Sequence, residues 1–125
     1  MRKGLAGAIL LALSCFYLSA VQTASAETLL WRFESKHPKI VDVELYSGTR
    51  RGHVWPGNNK IYVLDDYSVK TINISCRRGE QVCYGAWVRN RTNLYWGVGY
   101  KNRNRCSSCC YTCNGGQTKV IVLNP

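Results

Sequence analysis

Four cysteines fall within eight residues near the C-terminal end of this chain, in the run Cys106-Ser107-Ser108-Cys109-Cys110-Tyr111-Thr112-Cys113. No other feature limits the fold as strongly, because whatever those sulfurs bind ties the last third of the chain to the rest. Three further cysteines stand elsewhere: Cys15, Cys76 and Cys83. Neighbouring Cα atoms lie about 3.8 Å apart, short of the roughly 4.4–6.8 Å usual across a disulfide, so Cys109 and Cys110 are expected to take different partners. Cys76 and Cys83 either pair across their own hairpin or each reach into the cluster. The second arrangement is favoured, since it fastens a segment that has little apolar content of its own. Six cysteines still allow 15 connectivities, and the spacing selects none of them.

The N-terminus decides which chemistry those sulfurs meet. Arg2 and Lys3 precede a mostly apolar run, Leu5 to Leu18, and Ala24-Ser25-Ala26 gives a small-x-small cleavage pattern. That is the layout of a secretory leader over residues 1–26. The run is shorter than the roughly 20 residues of a membrane span, and no stop-transfer charges follow it. Ala12-Leu13-Ser14 before Cys15 makes a poor lipoprotein signal. The expected product is one exported domain, residues 27–125, periplasmic or extracellular, with no transmembrane segment after cleavage. Cys15 leaves with the leader, and an even set of six cysteines in a short exported chain reads as a disulfide framework. Each bridge adds about 2–4 kcal/mol, mainly by restricting the unfolded chain.

Two other uses of the sulfurs compete with this one. Zinc ribbons separate their Cys-x-x-Cys pairs by about 15–20 residues, whereas the two pairs here abut. A thioredoxin-like redox role would need a βαβ setting, and no helical periodicity of useful length follows Ala26. No metal or other cofactor is expected.

Period-two alternation broken by turn residues points instead to strands. Thr28–Phe33 is the first. Lys39–Tyr46 is the cleanest, with Val41, Val43 and Leu45 on one face and Asp42 and Glu44 on the other. Ile61–Leu64, Lys70–Cys76, Val82–Arg89, Leu94–Tyr100 and Thr118–Leu123 follow. Pro56-Gly57 fits a type II turn. The fold class is all-β: a small antiparallel sandwich or partly open barrel of seven or eight strands, stapled by disulfides near its C-terminus.

Charge suggests the partner. The formal net charge of +10 falls to +8 once Arg2 and Lys3 leave with the leader. The cations gather in expected turns: Arg50-Arg51, Arg77-Arg78, Arg89 with Arg91, and Lys101-Asn102-Arg103-Asn104-Arg105. Arginine presents a planar fork suited to carboxylate, sulfate or phosphate. If several of these turns share one end of the domain, they form a patch for an anionic glycan, a lipid headgroup or an acidic protein. Tyr95 stands beside Gly97 and Gly99 on one strand face, where the glycines would let a ligand or backbone approach an aromatic platform. Trp87 and Trp96 are expected to fill the core against the disulfides.

Signs of catalysis are few. His37 and His53, with Lys39 or Lys60 nearby, could serve as the acid and base of a small secreted nuclease, but nothing in the spacing brings them together. No nucleophile motif or phosphate loop is present. Asn73-Ile74-Ser75 and Asn90-Arg91-Thr92 match the glycosylation acceptor pattern, which matters only in a eukaryotic secretory route.

Gly79-Glu80, Cys83-Tyr84-Gly85-Ala86-Trp87, Tyr95-Trp96-Gly97-Val98-Gly99 and the cysteine cluster together resemble segments of small exported cysteine-rich bacterial proteins of unknown function. The likeness spans about residues 40–125 and takes in the Trp55-Pro56-Gly57 turn. It implies an exported location and carries no activity or site residues. The expected function is a non-enzymatic binding domain that engages an anionic partner through its arginine-rich loops.

Overall fold

The computed structural model describes residues 25–125 together with Gly4, Gly7, Ala12 and residues 14–18. The expected leader thus lies largely outside the described residues. Strand β1 starts at Ala26 and runs to Ser35, followed by β2 (Val41–Ser47), β3 (Val54–Trp55), β4 (Tyr62–Leu64) and β5 (Val69–Arg77). Strands β6 (Gln81–Val88), β7 (Arg91–Gly97), β8 (Cys110–Thr112) and β9 (Gln117–Leu123) complete the chain. No helix among the described residues is long and apolar enough to cross a membrane.

These strands form two open sheets, ordered β5-β1-β9 and β3-β2-β6-β7, with β4 also on β2 and β8 also on β6. The all-β expectation holds, with one addition. The first and last strands pair in parallel, Phe33 opposite Ile121, while every other pair is antiparallel. Alternation explains the layering. Leu29, Trp31 and Phe33 of β1 and Ile72, Ile74 and Cys76 of β5 face Val41, Val43 and Leu45 of β2 in a common core. Aromatic rings bridge the two layers: Tyr84 lies edge-on to Trp31 at 6.1 Å and to Phe33 at 5.5 Å, and Tyr111 meets Trp31 at 5.1 Å. Trp55 Nε1 donates to Ser75 O at 2.9 Å, joining β3 to the other sheet.

Two elements depart from the sequence reading. Strand β7 covers Arg91–Gly97 instead of Leu94–Tyr100, because Gly97 and Gly99 take φ of 65° and 67° and turn the chain off the sheet. Inside the cysteine cluster, Cys110–Thr112 forms β8, whose backbone partner is the start of β6. At the expected Pro56-Gly57 turn, Gly57 adopts φ 78°, the Trp55–Pro56 peptide is cis, and Asn58 and Asn59 follow at φ 54° and 57°.

The cysteines pair as Cys76–Cys113, Cys83–Cys110 and Cys106–Cys109. Cys76 and Cys83 each reach into the cluster, and the adjacent Cys109 and Cys110 have different partners, as the sequence led us to expect. Cys83 and Cys110 sit directly opposite each other on β6 and β8. The cluster is therefore sewn to both sheets, to β5 through Cys76 and to β6 through Cys83.

Candidate anion-binding cleft

The topology sorts the basic turns by pole. The β2–β3 loop and the β5–β6 turn share one pole, where Gly48 N donates to Gln81 O at 2.7 Å. The Arg89–Arg91 turn lies at the other, beside the start of β2, where Arg89 N donates to Ile40 O at 2.9 Å. The Lys101–Arg105 loop crosses the outer face of the β2–β6 sheet.

At the first pole the β2–β3 loop is wound around Ser47. Its Oγ accepts from Thr49 N at 3.1 Å and Arg50 N at 2.7 Å, and donates to Glu80 Oε2 at 2.6 Å. Arg50 then clamps Glu80 from the side, and Arg77 N donates to Glu80 Oε1 at 3.0 Å. Glu80 is almost fully buried. Burial pushes its carboxyl up, but the Arg50 guanidinium, the Arg77 amide and the Ser47 hydroxyl outweigh that and hold it at about 2. The Arg50 guanidinium also lies 5.6 Å from the centre of the Trp55 ring, against which His53 packs edge-on at 4.6 Å. His53 is held below the ordinary imidazole range, first by burial and then by Arg50, with Arg77 adding to the effect and Glu80 opposing it.

The second loop is pressed onto the sheet by missing side chains. A Cβ on Gly85 would lie 2.2 Å from Gly99 O and 2.9 Å from the Tyr46 ring. Only glycine lets residues 98–104 sit this close. Val98 N donates to Tyr84 O at 3.0 Å, Asn104 N donates to Val98 O at 3.1 Å, and Tyr46 Oη donates to Gly99 O at 3.4 Å. Tyr100 packs edge-on against buried Trp87 at 5.1 Å. Lys101 Nζ and Arg103 Cζ each lie 5.2 Å from the Tyr100 ring centre. Two consecutive non-glycine residues, Lys101 and Asn102, both stand at φ 54°, a strained backbone of the kind that gathers at binding sites.

Between these loops is a cleft of about 320 Å³. Gly52 and His53 line one side, Lys101 and Asn102 the other, and Glu44 and Tyr46 of β2 form its base. Burial pushes the Glu44 carboxyl up, against the pull of the Tyr46 hydroxyl and the Lys101 ammonium. Burial and then Glu44 push the Tyr46 hydroxyl up. The cleft thus offers a neutral imidazole, a phenol, a carboxyl that gives up its proton reluctantly, and an ammonium. Comparison with family models, with curated proteins and with solved structures finds no match to this chain.

The ten candidate binding residues separate into four sets. Among the described residues, Arg50, Arg78 and Arg89 close on carboxylates: Glu80, Glu27 and Asp42 respectively. Arg51 and Arg77 are exposed at the cleft's pole, and Lys101, Arg103 and Arg105 lie on the loop that forms its far wall. None of these five closes on a carboxylate among the described residues. Arg91 sits at the opposite pole, away from the cleft. Tyr95 is 45% exposed, but the glycine-lined space beside it is filled by the chain itself: a Cβ on Gly99 would meet Asn104 Nδ2 at 2.6 Å and the Tyr95 ring at 3.0 Å. The close approach anticipated there is one of backbone on sheet. His37 and His53 stand at opposite poles, so no paired acid and base arises from them.

Glu44, Tyr46 and Glu80 are the residues that sequence reasoning passed over. Alternation had put Glu44 on the face away from the core. Nothing local says that a loop more than fifty residues later folds over that face.

Proposed function

We propose that this protein is an exported binding domain that holds an anionic partner in the cleft between residues 47–53 and 98–105. One observation carries the reading. Lys101 lines the cleft, Arg51, Arg77, Arg103 and Arg105 are exposed on the segments beside it, and none of the five forms a salt bridge among the described residues. Both loops are fixed before any ligand arrives, one by the buried Glu80 and the other by the sheet and the Cys106–Cys109 bridge. Little ordering cost then falls on association. An anionic glycan fits this arrangement well, since sulfate and carboxylate groups can take the guanidinium forks while sugar hydroxyls meet Glu44 and Tyr46.

The test is retention on immobilised heparin. Wild-type protein should be retained at low salt and released as ionic strength rises, because exposed charge interactions are screened. Lys101→Glu with Arg103→Glu should elute at clearly lower salt, whereas Arg78→Ala, at a residue already paired with Glu27, should elute near wild type. Equal elution of all three would overturn the proposal. The competing reading makes the cysteines the working part. The pairing of all six within the chain supports a bracing role instead, and a thiol titration of the secreted protein that finds free thiols would reverse that preference.

A further inference from the structure

The pole opposite the cleft is where β1, β6 and β9 end and β2, β5 and β7 begin. Its apolar side chains are not accounted for by the core. Within residues 25–125 the large hydrophobics that remain exposed are Ile40, Tyr67, Val69, Leu94, Tyr95 and Val122. Strand register puts all of them on the half of the sandwich nearer this pole: Val69 and Val122 both pair with Glu34 near the end of β1, and Tyr95 pairs with Trp87 near the end of β6. The Arg77 half has none.

A groove of about 380 Å³ runs here between residues 37–40 and the Arg89–Arg91 turn. Ile40, 37% exposed, gives it an apolar floor, with Val88 almost fully buried beneath. His37, Lys39 and Arg91 form its rim, and no carboxylate among the described residues lines it. Arg89 lies at the back, where Asp42 holds it through Nε at 3.1 and 3.2 Å and Nη2 at 2.7 Å, so its charge is answered. Lys39 and Arg91 close on no carboxylate among the described residues. His37 Nδ1 accepts from Lys39 N at 3.0 Å, which fixes the ring, and that ring packs edge-on against Trp96 at 5.9 Å.

Such a groove asks two things of an occupant. A bare anion would satisfy the rim and leave the floor wet, while a neutral hydrocarbon would cover the floor and leave two cations without counter-charge. We propose that the groove binds an amphipathic anion, with an alkyl or aryl body lying on Ile40 and a carboxylate, sulfate or phosphate head between Lys39 and Arg91. This site is separate from the cationic cleft.

The test is a titration of the full chain with anilinonaphthalene sulfonate, followed by energy transfer from tryptophan, since Trp96 packs against the rim residue His37. Saturable binding is expected, displaced by decanoate but not by decanol or by inorganic sulfate at the same concentration. Arg91→Glu and Ile40→Asp should each weaken binding by about tenfold, the loss of roughly 1.4 kcal/mol. Lys101→Glu, in the other site, should leave it unchanged. Circular dichroism and melting curves verify that each variant is folded, and Arg91→Ala, which removes the charge without reversing it, backs up Arg91→Glu. Displacement by decanol equal to that by decanoate, indifference to Arg91→Glu and Arg91→Ala, or loss through Lys101→Glu would each overturn the proposal. Vesicles of phosphatidylcholine with and without phosphatidylglycerol then separate the sources: decanoate-sensitive sedimentation with the anionic vesicles points to a lipid head, and its absence alongside decanoate binding points to a free amphiphile.

Discussion

Arg50 and Glu80 meet in a two-bond fork, Nε to Oε2 at 2.6 Å and Nη2 to Oε1 at 2.9 Å, across thirty residues of sequence. The fork joins the β2–β3 loop to the β5–β6 turn, and so builds the cationic pole from the inside. A carboxylate with these partners favours the folded state wherever it is ionised.

For Glu80 the sign follows from its depressed carboxyl, at about 2 when folded against 4.5 ordinarily. Its stabilisation is present in full above about pH 4.5 and is lost as pH falls through about 2, for a total on the order of 3 kcal/mol. Acid unfolding followed by circular dichroism should steepen in that window. Glu80→Gln should remove that part of the pH dependence and lower stability at neutral pH by about 3 kcal/mol, since Arg50 loses its counter-charge.

Gly85→Ala should unseat the loop that carries Lys101 and Arg103. A methyl placed 2.2 Å from Gly99 O cannot be absorbed without moving backbone. We expect a loss of about 1–3 kcal/mol. Hydrogen exchange at Val98 and Asn104 should quicken, while the Ile72 and Ile74 amides change little in local opening. Heparin retention should drop with it.

The three bridges should differ in worth. Cys76–Cys113 spans 37 residues and Cys106–Cys109 spans 3. On chain-entropy grounds, removing the first by a double serine substitution costs about 4 kcal/mol and removing the second about 2 kcal/mol. Urea denaturation of the two variants gives the comparison, and equal losses would show that the short bridge acts through more than entropy.

Anion affinity at the cleft should rise on acidification. Glu44 loses its negative charge at a higher pH than an open glutamate would, because burial raises it, and Lys101 is then left unopposed. Protonation of His53 adds a charge of the same sign, at a lower pH than an open imidazole would, because burial depresses it. Heparin-fragment affinity measured by calorimetry should grow about threefold as pH is lowered from neutral through the protonation of Glu44, by the removal of one nearby charge. Glu44→Gln should bind more tightly at the upper end and remove its share of the trend, leaving that of His53.

Much of the framework could be read from the chain. Alternation placed Val41, Val43 and Leu45 inward, and the crowding of Cys109 against Cys110 sent their sulfurs to separate partners. Charge clustering marked the loops that matter, but not which charges are already answered: Arg50, Arg78 and Arg89 look like Arg51 and Arg91 until the positions of Glu80, Glu27 and Asp42 are known. The glycines at 85, 97 and 99 announced a close approach, yet the sequence could not tell ligand from backbone. Strand β8 was hidden because Cys110-Tyr111-Thr112 is too short to show a period, and its pairing depends on β6, nearly thirty residues earlier. The parallel match of β1 with β9 was equally out of reach, since it joins segments some ninety residues apart and no local pattern encodes such a choice.

That parallel pairing has a practical result. Because β1 and β9 run the same way, the chain enters the domain at the arginine pole, where Ala26 pairs with Arg77, and leaves it at the far pole, where Asn124 O accepts from Trp96 Nε1. A purification tag or dye joined ahead of Ala26 would crowd the cleft, and one joined after Pro125 would crowd the groove beside His37. Each half of the molecule is therefore best assayed with the label on the other end.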